Sequence, residues 1–199
     1  MSTPDAAAFD ERTALVVVDV QNDFADPGGG LYVAGGEEVV PVVNDLIAAA
    51  RRAGAFVAYT QDWHPASTPH FDKDGGVWPV HCVQGTWGAE LHPDLVVDGP
   101  VVRKGANGED GYSGFTMRDV STGEDVPTDL DRLLAERGAE RVVVAGLAHD
   151  VCVKATALDA VRLGYDTVVP RAATRAVNLH PGDDERADDE MAAAGVRLA

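Results

Sequence analysis

Short apolar runs alternate with helical stripes along this chain, and that alternation constrains the fold more than any other feature. Residues 15–18 form a continuous apolar run that ends in Asp19. The segment 37–53 then carries Val39, Val40, Val43, Leu46, Ile47 and Ala50 at helical spacing and stops at Gly54. The pattern recurs, predicting strands over 55–60, 100–103, 141–145, 166–169 and 196–198, and helices over 129–137, 150–163 and 184–194. Buried strands that feed helices return by right-handed crossovers into a parallel sheet covered on both faces. The predicted fold is therefore a three-layer α/β sandwich with a mostly parallel, about six-stranded sheet, Rossmann-like in its layering. At 199 residues one domain spanning 1–199 accounts for the chain, with residues 1–12 expected as a flexible N-terminal extension.

In open parallel sheets ligands bind beyond the carboxyl ends of the strands, near the switch in strand order. Asp19, Asp62, Lys104 and Cys152 all fall at or just past such ends. Singly, each has a plain structural role as a turn or cap residue, a surface cation or a buried thiol. Together they offer a nucleophile with its acid–base partners. Cys152, in the run GLAHDVCVKAT, sits where a helix begins, and backbone N–H groups there favour thiolate. A lysine ammonium would favour it further, and the Asp19 carboxylate could take and return the proton. A carboxylate and an ammonium in a dry pocket must pair, so Asp19 and Lys104 are expected to touch.

Two stretches, 62–93 and 105–123, lack periodicity, and the first holds all three tryptophans and four of the six histidines. Loops of that length in a compact domain are commonly functional. Asp62, His64, His70 and His81 supply a carboxylate and three imidazoles, a donor set suited to one divalent ion: zinc, iron or manganese. His92 and His180 read as surface residues, and His149 as a neighbour of the site rather than a ligand.

The chain carries 33 acidic against 16 basic residues, a formal net charge of -17. Such a surface repels phosphate backbones and anionic lipid, so nucleic-acid and membrane partners are not expected. No basic and apolar leader opens the chain and no apolar stretch reaches spanning length, which predicts a cytoplasmic location. Two cysteines in a reducing compartment serve chemistry or packing rather than a disulfide.

The motifs DVQNDF at 19–24, DWHPASTPHF at 62–71, WPVHCVQGTWGAEL at 78–91, RKG at 103–105, YSGF at 112–115 and GLAHDVCVKATALDAVRLGYDTVV at 146–169 resemble the nicotinamidase (pyrazinamidase) branch of the isochorismatase-like cysteine hydrolases. The resemblance runs from Leu15 to the end of the chain. It implies Asp19, Lys104 and Cys152 as the catalytic triad, and Asp62, His64, His70 and His81 as metal ligands. The N–H groups of Ala148 and Cys152 would be the oxyanion donors, with a cis peptide between Leu147 and Ala148. Phe24, Trp78, Tyr112 and Leu147 would line the ring pocket.

The implied reaction is hydrolysis of nicotinamide, and of pyrazinamide beside it, to the acid and ammonia through a thioester, with the ion placing the pyridine nitrogen. A homo-oligomer is compatible with the sequence. The alternatives are another amidase of the superfamily acting on carbamoyl or ureido groups, and an inactive metal-binding relative. Three departures are visible, none of which threatens the chemistry: Val151 stands where relatives often have an aromatic residue or histidine, the acidic, glycine-rich NGEDG between Lys104 and Tyr112 reads as an insert of variable length, and DDERADDE near the C-terminus is unusually acidic.

Overall fold

The computed structural model describes residues 9–199. Its first strand, β1 (Thr13–Val18), is buried at all six positions, as a strand covered on both faces must be. A one-turn helix, α1 (Asn22–Ala25), precedes α2 (Val39–Arg52), which buries the stripe from Val39 to Ala50 that the spacing predicts. Pro41 lies in the first turn of α2, where its missing N–H has no helical partner to lose. The chain continues through β2 (Phe56–Asp62), β3 (Val101–Lys104), the antiparallel pair β4 (Thr116–Arg118) and β5 (Asp125–Pro127), and α3 (Leu130–Glu136). It then passes through β6 (Arg141–Leu147), α4 (Lys154–Arg162), β7 (Asp166–Val169), β8 (Thr174–Arg175), α5 (Asp183–Ala194) and β9 (Arg197–Leu198).

Among the described residues the main sheet has seven strands, all parallel, in the order β3-β2-β1-β6-β7-β9 with β8 paired to β6. The six predicted strands are all present. β8 is the seventh, and two residues are too few to show any periodicity. Successive side chains of β1 and β6 serve opposite faces. Leu15, Val17, Val143 and Ala145 pack with α2, whereas Val16, Val18, Val142 and Val144 pack with residues of α3, α4 and α5.

Strand order reverses between β1 and β6, which opens a crevice at their carboxyl ends. The register pairs Val18 with Gly146 and Asp62 with Lys104. Asp19, Asp62, Lys104 and the turn after β6 therefore emerge on one rim.

Two expectations need correction. The helix predicted from residue 150 opens as a single π turn, His149–Val153, before regular α4, a distortion common at functional sites. Of the extension expected over 1–12, residues 1–8 lie outside the described residues. The remainder belongs to the body, because Phe9 packs on the α2-side core and Thr13 Oγ1 donates to Asp10 Oδ1 at 2.6 Å. No described helix is long and apolar enough to cross a membrane.

Gly146, at φ +119°, is a close approach on the rim: a Cβ there would stand 2.1 Å from the carbonyl oxygen of Val18. Backbone on the paired strand cannot retreat without opening the sheet. Gly146→Ala is expected to destabilise the fold by about 3 kcal/mol or more, the upper end for single substitutions. Urea unfolding reads this directly, and an unshifted midpoint would show that β1 and β6 can part there at no cost.

Candidate active site

Beyond β1 the chain turns at Asp19, whose φ of +48° is a region aspartate enters more readily than most residues. The turn is held by Gln21 N–H donating to the Asp19 carbonyl at 2.8 Å and by Asp19 N–H donating to Thr60 Oγ1 at 3.2 Å. Thr60 in turn donates its hydroxyl to Asp19 Oδ1 at 2.6 Å. Lys104, the last residue of β3, is fully buried. Its ammonium donates to Asp19 Oδ2 at 2.6 Å and to the carbonyls of Gly111 and Tyr112 at 3.3 and 3.2 Å. It also lies 3.7 Å from Cys152 Sγ and 4.0 Å from Asp62 Oδ1. The expected Asp19–Lys104 contact is present, and the surface-cation alternative for Lys104 is excluded.

Burial pushes the Asp19 carboxyl above its ordinary range, and the Lys104 ammonium offsets only part of that. Burial likewise pushes the Cys152 thiol well up; Lys104 opposes this, while the charges of Asp19 and Asp62 and a hydrogen bond to Asp19 add to it. Burial alone would neutralise Lys104, yet Asp19, Cys152 and Asp62 together hold its proton more firmly than usual. At rest the cluster thus has an ammonium and a thiol. This corrects the expectation of a resting thiolate: desolvation and two carboxylates outweigh the lysine and the helix start.

One ligand nitrogen from each of His64, His70 and His81 lies within 4.8 Å of the others, and all three residues are buried. Asp62 stands among them, with Oδ2 at 2.9 Å from His64 Nε2 and 3.3 Å from His81 Nε2. Burial raises the Asp62 carboxyl, but Lys104 and the two histidines more than reverse this and hold it well below the usual range. Asp62 Oδ1 and His64 Nδ1 are buried without a hydrogen-bond partner, which is costly unless a ligand satisfies them. Three imidazoles and a carboxylate converging in a dry site fit a divalent ion. Gly105, at φ +75°, passes so close that a Cβ would lie 2.7 Å from His64 Nδ1.

Asp110 was not anticipated. Its Oδ1 accepts from His70 Nδ1 at 2.7 Å, which aims the other ring nitrogen at the cluster, as carboxylates behind metal-binding histidines do. It belongs to the NGEDG segment, which carries no motif of its own, and no spacing rule links it to a histidine forty residues earlier.

Above Cys152 opens a cleft of about 360 Å³, part of it its mouth, walled by Phe24, Trp78 and Tyr112 and flanked by Asp62, His70 and His81. Trp78 Nε1 donates to the Tyr112 hydroxyl at 3.0 Å, which fixes the two rings together. Leu31, Val33 and Val177 complete the wall, lone aliphatic residues in loops that no pattern marks, and Val151 is at the rim. Leu147 is not part of the lining. It is fully buried, on the strand face that packs into the α2-side core, and Ala148 takes the place beside the sulfur. The Leu147–Ala148 peptide is cis. His149 is buried between Asp188 and Thr174, apart from the histidine cluster; His180 is exposed and His92 half-buried.

A family model of the isochorismatase domain matches residues 13–198. The chain belongs to the isochorismatase family. Among its relatives, the nicotinamidase of Escherichia coli (strain K12) is 40% identical over 203 residues, 93% of either chain. The pyrazinamidase of Pyrococcus horikoshii, solved in complex with zinc, superposes with a TM-score of 0.83 at 40% identity, covering 94% of this chain and 98% of that one. PnC1 from L. infantum, solved in complex with nicotinate, gives 0.85 at 36% identity, covering 100% and 96%. The mostly parallel sheet and its flanking helices are thus the isochorismatase-family fold.

Lys104→Ala should cost about 3–5 kcal/mol, since it strands a buried carboxylate. It should also move the pH profile of Cys152 alkylation upward, because the cation that lowers the thiol's proton affinity is gone. An alkylation profile that stays in place would remove lysine from that role.

Proposed function

We propose that this chain is a single-domain amidohydrolase that converts nicotinamide, and pyrazinamide beside it, to the acid and ammonia through a thioester on Cys152. One observation carries the reading: the Cys152 thiol, 3.7 Å from the Lys104 ammonium that donates to Asp19, lies under an aromatic-walled cleft whose flank is the cluster of Asp62 and the three histidines. Phe24 and Trp78 suit a flat, uncharged ring. An open-chain carbamoyl or ureido substrate would leave those walls unused.

Asp19, a carboxylate whose proton affinity burial raises, takes the thiol proton as sulfur attacks the carboxamide carbon. The oxygen gathers negative charge against the N–H groups of Ala148 and Cys152. Asp19 passes its proton to the amide nitrogen, the C–N bond breaks and ammonia leaves, with the acyl group on sulfur. A water then gives one proton to Asp19 and attacks the thioester carbon; sulfur departs, regains that proton, and the acid is released. Lys104 stays charged throughout and balances whichever of Asp19 or Cys152 carries the negative charge. Asp62, His64, His70 and His81 would hold the divalent ion, which supplies a Lewis-acidic partner for the ring nitrogen when bound.

Ammonia release from nicotinamide tests the reading. Cys152→Ala should retain less than about 0.1% of the wild-type rate with the fold intact; appreciable turnover would end the covalent mechanism. Chelation should lower kcat/KM about 100-fold for nicotinamide but far less for benzamide, which has no ring nitrogen to misplace. Equal losses for both amides would show that the ion serves the shared chemistry or the fold.

A further inference from the structure

Directly after the turn at Asp19, three consecutive side chains reach across to the last residue of β2 and to three points of the long segment between β2 and β3. Gln21, fully buried, grips Asp62 on both sides of its backbone: Oε1 accepts from Asp62 N–H at 2.7 Å and Nε2 donates to the Asp62 carbonyl at 2.7 Å. The same Nε2 donates to the Ala89 carbonyl at 2.8 Å. Asn22 Nδ2 donates to the Trp87 carbonyl at 2.8 Å. Asp23 Oδ2 accepts from Cys82 N–H at 2.7 Å, and its Oδ1 accepts from Gly30 N–H at 2.7 Å. The approach is close, for a Cβ on Gly88 would come within 2.1 Å of Asp23 Oδ2.

Two of these grips fall on the histidine–carboxylate cluster. Gln21 fixes the backbone of Asp62, and Asp23 fixes the residue that follows His81. Asn22 holds the same loop at a point away from any of the four donors. We propose that Gln21 and Asp23 are positioning residues for the divalent-ion site, setting its affinity without touching the ion. The proposal rests on the assignment of Asp62, His64, His70 and His81 as ligands. A loop whose donors already face one another loses little freedom when an ion enters, whereas a slack loop must be ordered at the expense of binding. Because Gln21 and Asp23 are two and four residues from Asp19, the base and the ion site form one unit rather than two loops placed independently.

Zinc affinity, measured by competition with a chromogenic chelator on the metal-free full-length protein, tests this without reference to turnover. Gln21→Ala and Asp23→Asn should each weaken zinc by about 10- to 100-fold, the size of effect seen when partners behind metal ligands are removed. Gln21→Met, of similar volume, serves if Gln21→Ala does not fold. Asn22→Ala should lower the urea midpoint by a comparable amount yet leave zinc affinity within about threefold. If Asn22→Ala weakens zinc as much as the others, the grip is general loop stability and the proposal is overturned. Wild-type affinity in the Gln21 and Asp23 variants, with His70→Ala weakened, overturns it while the ligand assignment stands. Unchanged affinity in His70→Ala removes the ligand assignment and the proposal together.

Discussion

A lysine ammonium without access to water has to be surrounded by acceptors, and the rim of this molecule is built around meeting that demand. Lys104 is fully buried at the end of an edge strand, and leaving its charge unpaired would cost several kcal/mol. Its acceptors come from separate segments: the Asp19 carboxylate after β1, the carbonyls of Gly111 and Tyr112 in the next loop, and the Cys152 sulfur beyond β6. One charge therefore ties together pieces of chain that strand pairing alone leaves free. Chemistry and architecture share the same bonds here.

The protonation pattern follows from the same crowding. Asp19 and Cys152 both hold protons more tightly than they would in water, and both lie against a single cation, Lys104. Burial and the charges of Asp19 and Asp62 keep the thiol's proton on sulfur at rest. Keeping it on sulfur at rest protects the thiol, since oxidants attack thiolate. The nucleophile forms only when that proton leaves the sulfur.

Local patterns told most of the fold. The α2 stripe and the runs in β1 and β6 are visible because they depend on near neighbours in sequence, and the Asp19–Lys104 pair follows from the cost of isolated charge. What stayed hidden depends on distant geometry. Asp110 meets His70 across two aperiodic loops. Leu147 lies in the core and not in the pocket, and a motif does not reveal which face the last strand residue presents. The proton on Cys152 depends on burial and on Asp62, a sum that exists only once the chain is folded. Phe9 packs on the core, yet one aromatic among alanines and acids shows no periodicity that would reveal it.

The sulfur and the groups opposite it inherit their positions from different interiors. Cys152 packs with the side chains of α3, α4 and α5, whereas Ala148 and Phe24 pack with those of α2 on the far side of the sheet. Each interior is close-packed and transmits small volume changes as displacement. A missing methylene deep in either layer therefore shifts one half of the cleft against the other. Misalignment of the reacting atoms can originate at residues no substrate ever meets, so the sequence positions that matter for turnover extend through both layers of the molecule.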